Sequence, residues 1–182
     1  MPSGIVDIIK MKKFKFSLLL LAAFVFANVH SASAQNDMFS DPTVEYSFAL
    51  PDTKWKMTAK PSQTSPNVEY VYVDRFDGHL EVRKVNVAGN AAMTDIIQTE
   101  DQKLRFRPGF IAGRQESFTG KLRGAIFNFE YVAAGRNMSG RFYFLRANPT
   151  TVYVLRFSGE KSSLRSIQHH TDQIARTFTV KQ

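Results

Sequence analysis

Cysteine is absent from the 182-residue chain. That absence excludes disulfide staples, thiolate nucleophiles and cysteine-ligated metals, and it removes the acceptor that a lipid-anchored export signal requires. Stability must therefore come from packing alone. Catalytic signatures are missing too: the chain has no GxSxG elbow, no HExxH pair, no phosphate-binding glycine loop and no dinucleotide fingerprint. The longest apolar run, residues 17–29, is 13 residues long, whereas a membrane-spanning helix needs about 20. Internal repeats, low-complexity tracts and interior linkers are also lacking, so a second domain is not expected.

What is present at the N-terminus has the form of an export signal. "MKKFKF" from Met11 is basic, "SLLLLAAFVFANV" is apolar, and Ala32, Ser33 and Ala34 offer small residues for cleavage before Gln35. The ten residues ahead of Met11 lack the form of a signal's basic region, which makes Met11 a candidate start. On this reading residues 1–34 are a signal peptide and residues 35–182 a single domain, with a periplasmic or secreted location expected. The whole chain has a formal net charge of +8. The first 34 residues hold four lysines and one aspartate, so 20 basic and 15 acidic residues remain, a net of +5. Such an excess suits an envelope protein or an anionic surface as partner. Export and the want of a basic arm speak against nucleic acid.

Alternation of apolar and polar residues marks strands at 45–51, 54–60, 68–74, 79–87, 116–122, 125–133, 140–147 and 151–157. Asp77-Gly78 between two such runs predicts a hairpin turn there. Residues 92–107 switch to a helical period, with Met93, Ile96, Ile97 and Leu104 on one stripe and Pro108-Gly109 as the stop. A second helix is expected over 162–178, with Leu164, Ile167, Ile174 and Phe178 on one side. The hairpin around Asn148-Pro149 is apolar on both faces: Phe142 and Phe144 oppose Tyr143 and Leu145, and Val152 and Val154 oppose Tyr153, Leu155 and Phe157. Each buried Phe or Leu contributes about 1.5–3 kcal/mol, so both faces call for cover. One helix on each side gives an α+β fold, a three-layer α/β/α sandwich on a central, mostly antiparallel sheet.

Phe48, Leu50, Pro51 and Trp55 form an early F-x-L-P motif followed by a tryptophan. Gly124, Phe129 and Tyr131 follow after the helix, and the closing helix ends in "IARTF" (residues 174–178). In this order of elements the chain resembles the PsbP-like α/β/α sandwich group over nearly all of residues 44–180. That group includes extrinsic photosystem II subunits, a Ran-binding nuclear import factor and bacterial envelope proteins. The resemblance implies a binding or assembly protein without a shared active site, and it carries over no residue-specific chemistry and no cofactor.

Candidate chemistry is sparse. His79 and Glu81 point to one strand face and could supply two metal ligands, short of the three or four a site needs. His169 and His170 lie beside or opposite the second helical stripe and are expected in solvent, with Asp172 one turn from His169. Glu100 falls inside the apolar stripe of the first helix, where a buried carboxylate has a raised pKa or an arginine partner. Asn137-Met138-Ser139 matches a glycosylation acceptor that matters only in a eukaryotic secretory route. The best interaction surface is residues 103–123, where Lys103, Arg105, Arg107, Arg114, Lys121 and Arg123 face only Glu116 as an acid, with Phe106 and Phe110 among them. The 61–67 loop is its expected companion. The expectation is thus an exported, non-enzymatic binding or assembly protein of the bacterial cell envelope, with neither metal nor cofactor. Alternatives are a hydrolase or metal-dependent enzyme built on His79, Glu81 and Glu100, or a small-ligand carrier with an apolar pocket between sheet and helix.

Overall fold

The computed structural model describes residues 37–89 and 91–181; the export signal read at residues 1–34 lies outside them. Ten strands and three helices follow in order: β1 (Asp37–Ser40), β2 (Tyr46–Leu50), β3 (Trp55–Ala59), β4 (Val68–Tyr72), β5 (Asp74–Asn86), α1 (Met93–Leu104), β6 (Ile111–Thr119), β7 (Arg123–Ala133), β8 (Arg136–Asn148), β9 (Thr151–Glu160), α2 (Lys161–Ser166), α3 (Gln168–Thr177) and β10 (Thr179–Val180). Seven strands form one sheet in the order β3-β4-β5-β9-β8-β7-β6, and β1-β2-β10 form a small second one. Every pairing among the described residues is antiparallel. The fold is therefore α+β on antiparallel sheets.

The two-sided hairpin is β8–β9, at the centre of the large sheet, with Tyr143 opposite Leu155 and Phe144 opposite Val154. Its faces feed two separate cores. Phe142, Phe144, Val152 and Val154 pack with Ile96, Ile97 and Leu104 of α1. Tyr143, Leu145, Tyr153, Leu155 and Phe157 pack instead with Leu164, Ile167, Ile174 and Phe178, and with Phe39, Tyr46 and Phe48 of the small sheet. Period-2 alternation of large apolar residues thus sends successive side chains into different cores.

Several local expectations are corrected. Asp77-Gly78 is not the turn of the β4–β5 hairpin. The chain reverses at Val73, which has φ 62°, and the register passes from Tyr72↔Asp74 to Val71↔His79, leaving residues 75–78 unpaired with β4. Asp74 Oδ1 takes the backbone N–H groups of Phe76 and Asp77 at 2.7 and 2.9 Å. Gly78 serves close packing instead: a Cβ there would lie 2.8 Å from Ile167 Cδ1 and 3.1 Å from Tyr72 Cβ. The first helix stops at Leu104, three residues before the expected end, because Pro108 has no N–H to give the Leu104 carbonyl and its ring would crowd it; Arg107 N–H closes a tighter turn onto Leu104 O at 2.9 Å. The second helix is broken into α2 and α3 at Ile167, with φ −102° and ψ 15°. β2 and β3, neighbours across Pro51-Asp52, part into different sheets.

The large sheet has two free edges, β3 and β6. β6 is exposed along almost its whole length, only Phe118 being buried, and its register against β7 shifts between Ala112 and Gln115.

Candidate functional site: an arginine-centred cleft at the end of α1

The C-terminal half of α1 stands over β5, β9, β8 and β7 and leaves a cleft of about 490 Å³. Strand alternation puts His79, Glu81 and Arg83 of β5 on the face opposite buried Leu80 and Val82. On β9, Glu81 meets Arg156 directly across the ladder, and His79 meets Ser158. Glu100 and Lys103 come down from α1, and Phe129, Tyr131, Met138 and Phe142 form an aromatic and apolar floor.

Arg156 is the hub. Its Nη1 donates to Glu81 Oε2 at 3.4 Å, and its Nη2 donates to Glu100 Oε2. Arg83 Nε binds the other Glu81 oxygen at 2.6 Å, and Lys103 Nζ the other Glu100 oxygen at 2.8 Å. The result is an alternating chain: Arg83, Glu81, Arg156, Glu100, Lys103. Glu100 is only 7% exposed. Burial pushes its carboxyl upward, but the Lys103 hydrogen bond and the Arg156 guanidinium together outweigh that and hold it below the ordinary carboxylate range. Beneath, the Arg156 guanidinium lies 5.4 Å from the Phe142 ring centroid and Arg107 lies 4.6 Å from that of Tyr131, both within cation–π reach. Arg156 Nε is buried and unpartnered in the structure. His79 Nε2 is engaged by Glu69 Oε2 at 2.9 Å, to which Arg75 also comes within 4.0 Å.

Five cations (Arg75, Arg83, Lys103, Arg107, Arg156) and two carboxylates (Glu81, Glu100) line this cleft. Both carboxylates are saturated by cations, so neither is a free base. No three His, Asp or Glu side chains among the described residues are placed to hold a metal ion. The arrangement can attract an anion and lay an apolar or planar portion on the floor, because fixed cations beside an aromatic surface favour that combination.

The structure divides the residues read from the sequence as one surface. Lys103 and Arg107 line the cleft, and Phe110 packs beside its floor, 6.0 Å from Phe129 between ring centroids. Arg105 turns away to Asp101, with contacts of 3.0 and 2.8 Å. Arg114 sits on the β6 edge, and Lys121 and Arg123 lie at the β6–β7 turn. Arg123 and Tyr131 are eight residues apart on β7, about 26 Å along a strand. The 61–67 loop joins β3 to β4 at the opposite side of the sheet from β6. Asp172 is held by Arg141 at 3.0 Å and Tyr143 at 2.5 Å rather than by His169. His169 is exposed, but His170 is half-buried with its ring 5.3 Å from that of Tyr72.

Arg156 is the residue sequence reasoning missed. The signal existed: it continues the face of Val152 and Val154 on an apolar strand, so it is a half-buried cation, and Glu100 is the buried anion that lacked a partner.

No family model and no curated protein matches the sequence. Solved structures do match in architecture. Cyanobacterial PsbP (CyanoP) from Synechocystis is 14% identical, with a TM-score of 0.57 over 83% of this chain and 95% of that one. The Ran-binding protein Mog1p of Saccharomyces cerevisiae is 13% identical, with a TM-score of 0.57 over 81% and 96%. LpqN of Mycobacterium tuberculosis, a protein involved in cell envelope biogenesis, is 14% identical, with a TM-score of 0.53 over 81% and 92%. The PsbP-like resemblance therefore holds at the level of the fold. No helix among the described residues is long and apolar enough to cross a membrane.

Proposed function

We propose that the chain is an exported, non-enzymatic binding or assembly protein of the bacterial cell envelope, periplasmic or secreted, with residues 35–182 as one three-layer α/β/α domain. Its recognition site is the Arg156 cleft, which takes an anionic group presented by an envelope protein, with Lys103 and Arg107 as the reaching cations. One observation carries this reading: the cleft has more cations than its own carboxylates can neutralise, over an aromatic floor. The catalytic alternative has its three residues in one cleft, but Glu81 and Glu100 are both tied to arginine or lysine, which leaves only His79, hydrogen-bonded to Glu69, as a proton acceptor. Envelope biogenesis, in which LpqN is involved, is consistent with the binding role.

A photocrosslinker placed at residue 76, which lines the cleft, should capture a discrete envelope protein in intact cells, whereas one at residue 121 should not. Charge reversal at Lys103 and Arg107 should abolish that capture; because Lys103 also binds buried Glu100, circular dichroism and the urea midpoint check that the double variant is folded. Capture unchanged by the double reversal removes the cleft as the recognition site.

A further inference from the structure

Histidine is the one side chain whose ordinary titration falls between about pH 5 and 8, and the chain has four. His30 lies in the segment read as the export signal, His169 and His170 sit on α3, and His79 alone lines the cleft. His79 is 8% exposed. Its Nε2 meets Glu69 Oε2 at 2.9 Å, and Arg75 Nη1 comes within 4.0 Å of that same oxygen. An ionised Glu69 can only accept, so Nε2 carries the proton and Nδ1 of the neutral ring is a bare lone pair. Nδ1 makes no hydrogen bond among the described residues. Charged groups surround the ring. Glu69 approaches from β4 and Arg75 from the 75–78 bulge, while Glu81 and, beyond it, Arg83 follow on its own strand. Ser158 faces it from β9, with Arg156 to one side and Glu160, held by Arg136 at 3.2 Å, to the other. Lys56 of β3 stands past Val71 in the same row, and Glu100, Lys103 and Arg107 complete the cleft from α1 and the loop after it.

We infer that anion capture in the cleft is coupled to protonation of His79, an inference that rests on the cleft being the recognition site. Protonation turns Nδ1 from an acceptor into a donor and adds a cation to the cleft. Without a bound anion, Arg75 and Arg156 oppose that charge, and Glu69 and Glu81, each already shared with an arginine, offset it only in part. A bound anion supplies the missing negative charge, so proton and anion strengthen each other's binding by the same factor. The cleft therefore captures best in acid and releases as pH rises through the histidine range.

The test is fluorescence anisotropy of a rhodamine-labelled hexa-aspartate peptide with the purified chain at about pH 5.5 and about pH 8, a range over which the peptide's carboxylates stay ionised. Affinity should be about tenfold higher at the lower pH, and His79→Gln should erase the difference. Glutamine keeps a donor for Glu69 but cannot titrate; circular dichroism and the urea midpoint check that the variant is folded. A second measurement needs no substitution. Adding the peptide to the wild-type chain at about pH 7 should move the His79 ring NMR signals towards their acid-limit positions and leave those of His169 and His170 in place. Equal affinity at both pH values, a difference that survives in His79→Gln, or a His79 ring signal unmoved while peptide is bound overturns the coupling alone. Peptide binding that is absent at both pH values, or untouched by Arg107→Glu, overturns the cleft reading and the coupling with it.

Discussion

Arg156 shows what one half-buried cation does for a sheet that has to bear charge under a helix. Its two carboxylate partners come from β5 and from α1, so a single guanidinium ties three elements together. Replacing it with methionine keeps the volume but leaves Glu81 and Glu100 each one cation short, and Glu100 in particular has little solvent to turn to. Arg156→Met should therefore cost about 2 kcal/mol, read from urea denaturation. Arg156→Lys should not recover it, because an ammonium cannot bridge two carboxylates with a planar fork. At this scale the sequence was legible in halves. Glu100 in an apolar stripe announced that a partner was required, but its partner lies 56 residues away, and nothing in local spacing names which arginine answers.

Elements defined by a strong period were the easiest to read. The stripe Ile96, Ile97 and Leu104 is buried as its spacing demands, and the β8–β9 hairpin divides its side chains between two cores. What escaped were features decided by tertiary contact. β1 and β10 have four and two residues, too few to display alternation, and both exist because β2 pairs with them. The break at Ile167 has no proline or glycine to announce it. Val73 is another such case: a β-branched residue at φ 62° in the β4–β5 turn, 61% exposed. The left-handed region costs a residue of this kind about 1–2 kcal/mol, and asparagine accepts it more readily. Val73→Asn should raise stability by about 1 kcal/mol, measured by the denaturant midpoint at constant m-value; a loss would mean that the exposed valine makes contacts outweighing its backbone strain.

On the scale of the molecule, the small sheet is fastened to the large one by Glu45. Its carboxylate takes Lys84 Nζ from β5 at 2.6 Å and the Tyr153 hydroxyl from β9. Those two hydrogen bonds, Lys84 first, overcome partial burial and lower its pKa from the ordinary 4.5 to about 2. A depressed carboxyl stabilises the fold fully above the unfolded value and loses that contribution as protons are added. Stability should accordingly fall as pH drops from about 4.5 towards about 2. Glu100, also held low, acts in the same direction. Glu45→Gln should flatten this acid limb in thermal melts across that range, and an unchanged slope would remove Glu45 from the account.

The outer rim of the large sheet carries a last consequence. β6 offers a row of unclaimed backbone donors and acceptors, the kind of border along which identical molecules stack into fibrils. Here the register shift between Ala112 and Gln115 kinks that border, and Arg114 and Glu116 plant opposite charges beside the kink. A second copy approaching along this rim would find no straight ladder to continue, so β6 is a poor border for strand-by-strand growth.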